Sequence, residues 1–392
     1  MNAWGAGRAD PEVRGADGAP TIPATGEGIP ETRNRKMRHP KIVAGLAAAG
    51  LLAVVARQVP AQQGGPQGSA ALVELKGSKV FQHTTELDAY HTVLQGITSA
   101  TACEGVAALA ARAGLLGGRE DLLLGLANCL NVSDPEQQLA CSEEVWESFE
   151  EDLEEVADVY DARLEVCELI GEDGYEIAID PADFVDGFVD HPLFDLQPGS
   201  SWTYEKEGED GLETIVVSVP GETYEILGVT CTVVLDTVYL LEDGEEGEPG
   251  HPIEETRDYY ARHVDGSVWY MGEHTFELDE EGFIVSLDGQ WIAGQDGAQP
   301  GVIMQAVPVA GVTYRQEFYL DEAEDVATIL DVDATVDVDG ERFEHCLQTE
   351  DWTPLEPDAR ELKSYSAEVG STVLEQDVES GEQTVLVAFT RP

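Results

Sequence analysis

HPLFDLQPGSSWTYEKEGEDGLETIVVSVPGETYEILGVTCTVVLDTVYLL, residues His191–Leu241, opens a long series of strand-like segments. It holds the strand-like runs SWTYEKE, LETIVVSV, ETYEIL and TCTVVLDTVYLL, rich in Val, Ile, Thr and Tyr and separated by Gly, Pro and Asp. That is the punctuation of antiparallel strands. The style continues to the C-terminus through RDYYARHV, SVWYMG, VTYRQEFYL, ATVDVD, RFEHCLQTE, ELKSYSAE and QTVLVAFT. Asp265 with Gly266 and Asp339 with Gly340 sit between such runs and predict hairpins. No long amphipathic helix separates the runs, which argues against parallel crossover folds. Residues 182–392 are therefore expected to form one large antiparallel sheet, strongly curved or closed into a partial barrel.

Upstream the composition is different. Residues 84–171 are rich in Ala, Leu and Glu, with Pro135 as the one proline, and read as helices. SDPE at Ser133–Glu136 reads as a capping box with Ser133 at its head. It starts a long helix carrying Leu139, Val145, Trp146, Phe149, Leu153, Val156, Val159, Leu164 and Leu169 at mostly three- and four-residue spacing. Gly117 and Gly118 are expected to interrupt the preceding helix as a kink or a tight turn. The predicted class is thus α+β, a disulfide-braced helical hairpin followed by the β-domain.

The disulfide expectation rests on six cysteines. Four of them, Cys103, Cys129, Cys141 and Cys167, lie in the helical part without a CxxC motif or clustered histidines, so pairing is favoured over metal binding. A continuous helix after Pro135 would hold Cys141 and Cys167 about 39 Å apart, which excludes that pair. Cys103 with Cys167 and Cys129 with Cys141 are both centred on residue 135, the arithmetic of an antiparallel hairpin with nested bridges. Such a pairing conflicts with a full turn at Gly117 and Gly118. In the β-domain Cys231 and Cys346 are a candidate third bridge, set against two separately buried thiols.

Residues 1–36 are rich in Gly, Pro and Ala without apolar periodicity and read as a disordered extension. Residues 37–61 and the bases just before them follow the order of a secretory signal: the basic RNRKMRHPK, the uncharged IVAGLAAAGLLAVVA, then small residues before Gln62. Residues 62–83 are a linker. Secretion or residence in the cell envelope is expected, with an uncleaved membrane anchor as the lesser alternative.

The net charge is −57, and it is uneven: residues 1–61 hold eight Lys and Arg against five acids, residues 62–392 thirteen against 73. Such a field repels phosphate backbones and anionic membrane surfaces, so neither nucleic acid nor an anionic bilayer is an expected partner. A solvated acidic surface is the plain reading, and weak capture of divalent cations the sharper one. DVDATVDVDGERFE fails as a calcium loop, with Thr335 at the first ligand position and Cys346 at the closing one, and alternates like a strand with one wet face.

Longer phrases run through the β-region: HPLFDLQPGSSWTYE, GVTCTVV, YYARHVDGSVWYMGE, GQWIAGQDGAQPGVIM, YRQEFYLDEAEDVA and WTPLEPDARELKSYSAEVGSTVLE. Over roughly residues 175–385 the chain resembles an uncharacterised group of exported bacterial β-rich proteins. The resemblance implies an envelope or secreted β-domain and carries no activity.

No GxSxG elbow, zinc spacing of histidines or phosphate loop is present, so no cofactor or metal is implied. In VTYRQEFYL, alternation would set Tyr314, Gln316 and Phe318 on one face and Arg315, Glu317 and Tyr319 on the other. Arg315 then reads either as a structural ion pair with Glu317 or as a polar anchor in a barrel mouth beside Trp269, Trp291 and Asp296. The candidate ligand-binding residues are Trp269, Glu273, Trp291, Asp296, Arg315 and Glu317. A non-enzymatic exported protein whose β-domain binds a ligand or surface partner is the leading expectation. The alternative is a secreted carbohydrate-active hydrolase, which needs two of Glu273, Asp296, Glu317 and Glu324 facing each other beside Trp269 or Trp291.

Overall fold

A computed structural model describes residues 101–208, 211–241 and 250–392. The expected extension (1–36), signal (37–61), linker (62–83) and first residues of the helical part (84–100) lie outside the described residues. No helix among the described residues is long and apolar enough to cross a membrane.

Helix α1 spans Ala102–Cys129 and helix α2 Pro135–Ile170. Thr101 caps α1 through a reciprocal box with Glu104. The cap of α2 is Asp134, one residue later than Ser133: its carboxylate accepts from the amides of Glu136 and Gln137, both at 3.0 Å, and Pro135 fills the first helical position, whose N–H would have no partner. Cys129–Cys141 and Cys103–Cys167 are both bonded, with Cα separations of 5.6 and 5.8 Å, so the bridges are nested as expected. Gly117 and Gly118 do not break α1. Ala108, Leu115 and Leu122, spaced one heptad apart, pack on Phe149 with Val145, Trp146 and Val156 alongside. At Gly114 and Gly125 an added Cβ would come within 2.8 Å of Val156 and Val145, so these glycines permit close approach of the two helices.

Among the described residues the β-domain has sixteen strands. They are β1 Ser201–Gly208, β2 Gly211–Ser218, β3 Thr223–Ile226, β4 Val229–Leu241, β5 His251–Arg262, β6 Val268–Leu278, β7 Ile284–Ser286 and β8 Trp291–Ile292. There follow β9 Gln299–Met304, β10 Thr313–Arg315, β11 Glu317–Phe318, β12 Val326–Val338, β13 Glu341–Trp352, β14 Arg360–Ser366, β15 Ser371–Asp377 and β16 Gln383–Thr390. The β12–β13 turn has Asp339 and Gly340 at φ 50° and 87°, both positive as the expected tight hairpin requires.

All pairings are antiparallel, in the order β10-β12-β13-β14-β15-β16-β1-β2-β4-β5-β6-β9-β11. The first and last strands, β10 and β11, are the two halves of one segment, Thr313–Phe318, so the ends of the sheet meet and the sheet is a nearly closed barrel of twelve staves. Parity agrees: an antiparallel ring needs an even number. The halves separate at Gln316 by a bulge, in which the amides of Gln316 and Glu317 both point at the carbonyl of Asp325, at 2.8 and 3.5 Å. Gly301 on β9 faces this bulge so closely that a Cβ would lie 2.3 Å from the Gln316 carbonyl carbon.

Which face is interior follows from who meets whom. Trp202 and Tyr204 (β1), Val234 (β4), Val268 (β6), Met304 (β9), Tyr314 (β10), Ile329 (β12), Leu347 (β13) and Tyr365 (β14) form one buried cluster, which only inward side chains from opposite staves can do. Val189 and Leu196, from the segment before β1, plug this apolar end. On the outer face Ala162 and Val166 of α2 bury against Val326 and Trp352, docking the hairpin on the barrel. The docking is reinforced by the buried pair Arg163–Glu324.

No bridge joins Cys231 and Cys346. They stand on β4 and β13, six staves apart in a ring of twelve and so on opposite sides of the barrel. Each is packed in a separate apolar cluster, and burial pushes the Cys231 thiol up to about 12.

Candidate functional site

Beyond the apolar plug the barrel interior turns polar. Cross-strand partners share a face, so the register carries the assignment from stave to stave. Trp202 faces Val217, Val217 faces Asp236, Asp236 faces Thr256, and Asp258 stands opposite both Val234 and Glu273. On the far side Asp351 faces Ala327 and Glu361, and Lys363 faces Thr349 and Glu375. Asp236, Glu254, Asp258, Glu273, Asp351, Glu361 and Glu375 by register, and Glu317 by its bond to Trp291, thus line an interior whose face also carries the basic side chains Lys206 and Lys363, with Arg262 opposite Val268 at the plugged end.

At the centre is Tyr270. Its hydroxyl oxygen lies 2.6 Å from Asp258 Oδ1 and 2.8 Å from Glu273 Oε2. A phenol has one proton, so it can donate to only one of them; the other contact needs the carboxyl group's own proton. Burial raises Asp258 to about 6, and burial plus the charge of Asp258 raises Glu273 to about 8. One of the two carboxyls is therefore protonated while the other accepts from the phenol, and burial together with the charge of Asp258 favours Glu273 as the protonated one. Glu317 accepts from Trp291 Nε1 at 2.7 Å and is held well above the usual carboxylate range by burial, with Asp325 and Glu273 adding to the effect. Gln316 donates to Asp351 Oδ2 at 2.9 Å, while Asp351 Oδ1 has no hydrogen-bond partner among the described residues.

Aromatic rings wall this group. Tyr260 stacks on Tyr270 at 4.7 Å, Trp291 meets Tyr270 edge-on at 5.3 Å, and Phe194 of the plug meets Tyr260 at 5.1 Å. Asp236 and Glu273 remain partly exposed although burial raises both carboxyls to about 8, with the charge of Asp258 adding to the effect at each. Among the described residues no three His, Cys, Asp or Glu side chains are arranged to hold a metal ion.

Of the sequence candidates, Glu273, Trp291 and Glu317 come together here. Trp269 is on the outer face opposite Ala261, with its Nε1 on Ser267 and its ring against Phe184. Asp296 is exposed in a turn at φ 49°. Arg315 faces outward toward the helical hairpin and makes no ion pair with Glu317, because the bulge at Gln316 turns Glu317 inward with it. Glu324 is taken by Arg163 at 2.6 Å. The sequence reading missed Asp258, Tyr270, Asp236, Asp325 and Asp351. In ETRDYYAR the polar alternate positions, Thr256 and Asp258, look like a wet outer face, yet here the wet face is inside and the apolar one, Tyr259 and Ala261, packs outward under β3 and the Trp291–Ala298 segment.

Comparison with protein-family models, curated proteins and solved structures found no match to this chain.

Proposed function

We propose that the β-domain is the binding module of an exported protein and that its interior takes an organic cation, an amine or quaternary ammonium group. The carrying observation is the pair of buried carboxyls, Asp258 and Glu273, joined through the Tyr270 hydroxyl inside a wall of Tyr260, Tyr270 and Trp291. Carboxylate charge draws a cation in, and aromatic faces stabilise it once water is stripped away. Export is supported by the basic, apolar, small-residue order up to Ala61 and by two disulfides, which persist in oxidising compartments.

Calorimetric titration of the full chain with spermidine tests the reading. Binding is expected near neutral pH, weaker as Asp258 protonates below about pH 6, and lost in Asp258→Asn. Equal binding by wild type and D258N, or no binding at all, overturns it.

The carboxylate-pair hydrolase is the second reading, and one observation favours it: Asp258 and Glu273 both touch one hydroxyl, with their oxygens less than about 5.5 Å from each other. The phenol oxygen of Tyr270 fills the gap where a glycosidic oxygen would have to sit, so binding is preferred. Turnover of aryl glycosides that vanishes in both D258N and Glu273→Gln would reverse this preference.

A further inference from the structure

A second site lies outside the barrel, where the helical hairpin meets β10 and β11. A cavity of about 370 Å³ opens there between Val106, Ala107 and Ile170 of the hairpin and Tyr175, Arg315 and Phe318. The size is within the range of ligand pockets, about 300 to 1,000 Å³. The Cys103–Cys167 disulfide forms part of its wall and fixes the two helix ends that border it.

Arg315 is the unusual member. It is 8% exposed, and its Nε and Nη1, both covered from solvent, have no hydrogen-bond partner among the described residues. Its guanidinium rests 4.5 Å from the Phe318 ring centre and 5.4 Å from that of Tyr175, whose hydroxyl is tied to the Pro300 carbonyl at 2.9 Å. The nearby carboxylate, Glu324, is occupied: it accepts from Arg163 Nε and Nη2 and from the amide of Asp321. Arg163 has Asp321 as a further partner, so one positive charge in the pocket, that of Arg315, lacks a direct counter-ion among the described residues. A buried guanidinium with idle donors is costly and calls for an acceptor.

We propose that this cavity binds a small monocarboxylate with an apolar tail, its carboxylate on Arg315 and its tail against Val106, Ala107 and Ile170. One unmatched cation suits a singly charged anion; Asp173 and Glu176 on the lining oppose a doubly charged one such as phosphate. The apolar walls select the tail. Structurally this site is independent of the barrel interior, since Arg315 and Glu317 are turned to opposite faces of the sheet.

The test is calorimetric titration of the full chain with octanoate, octan-1-ol and octylamine. Octanoate is expected to bind at one site per chain, and octan-1-ol roughly tenfold or more weaker. Arg315→Met, checked for fold by circular dichroism, should bring octanoate down to the level of octan-1-ol. Val106→Trp leaves Arg315 in place and should block octanoate by filling the cavity, so the proposal remains testable if R315M does not fold. Equal affinity for octanoate and octan-1-ol, unchanged octanoate binding in R315M or V106W, or no octanoate binding at millimolar concentration overturns it. Octylamine separates the two sites: if it binds with an affinity untouched by R315M and V106W, it is occupying the barrel interior.

Discussion

Replacing Arg163 by Met should uncouple the helical hairpin from the barrel. The Arg163 side chain is 6% exposed and that of Glu324 1%, and the guanidinium supplies hydrogen bonds to Glu324 from both Nε and Nη2. Methionine keeps most of the buried volume but leaves the Glu324 carboxylate in the interface with one donor, the Asp321 amide at 2.8 Å. Removing one partner of a buried ion pair typically costs about 3 to 5 kcal/mol, most of it the desolvation of the charge left behind. Glu324→Leu added to R163M should recover about 1 to 3 kcal/mol of that loss, because it removes the stranded charge. Glu165→Gln is the control: its pair with Arg360, at 3.0 Å, is partly exposed, and its loss should cost less than about 1 kcal/mol. Urea unfolding with disulfides intact, followed by circular dichroism and tryptophan fluorescence, reads the effect. In R163M the two signals should part, since Trp146 reports on the hairpin and Trp352 on its docking surface. An R163M protein that unfolds in one step within about 1 kcal/mol of wild type would refute the assignment of this pair as the coupling contact.

Stability should fall as pH rises from about 5 to about 8: Glu273 and Asp236, both raised to about 8 in the fold, keep protons that the unfolded chain has released, so the native state binds more protons across that window. Glu273→Gln removes one titrating group and should flatten the curve of Tm against pH; an unchanged curve would count against the buried carboxyl. Serine replacement of the outer disulfide pair, closing 64 residues, should cost about 4 kcal/mol, and of the inner pair, closing 12, about 3 kcal/mol, by chain entropy, measured as urea midpoints. Gly117→Ala, with nothing within 4 Å of the new methyl, should stabilise by about 1 kcal/mol, whereas Gly125→Ala should gain nothing or destabilise, because its methyl would meet Val145 at 2.8 Å.

The parts legible in the sequence were those written locally. Asp339-Gly340 specifies its own backbone, and the symmetry of four cysteines about residue 135 specifies the hairpin and both of its bridges. What stayed hidden depended on partners far along the chain. The alternation holds through Gln316, which faces inward with Tyr314, but fails at Glu317, because a bulge is set by the pairing of β10 with β12 and β11 with β9, and nothing in VTYRQEFYL announces it. The candidate site was half visible: Glu273, Trp291 and Glu317 stand out as acids and aromatics. Asp258 did not, since a polar face normally points to solvent and only the outer cover of β3 and the Trp291–Ala298 segment reverses that here. Cys231 and Cys346 show the same limit: two cysteines in strands say nothing about which side of a ring each strand occupies.

The split of Thr313–Phe318 between the two ends of the sheet bears on how copies of the chain can go astray. An ordinary open sheet finishes in two ribbons of unpaired amides and carbonyls, and either can recruit a strand from another molecule. Here both finishing ribbons belong to the same six residues, which pair with β12 on one side and β9 on the other. An intruding strand would first have to lift that segment out, forfeiting both pairings and the close fit over Gly301 together. Closure of the ring is thereby concentrated in one short splice, and Gly301→Val, which would wedge the splice apart, is expected to open the barrel and raise its tendency to pair with strands of other copies, read as thioflavin binding on incubation.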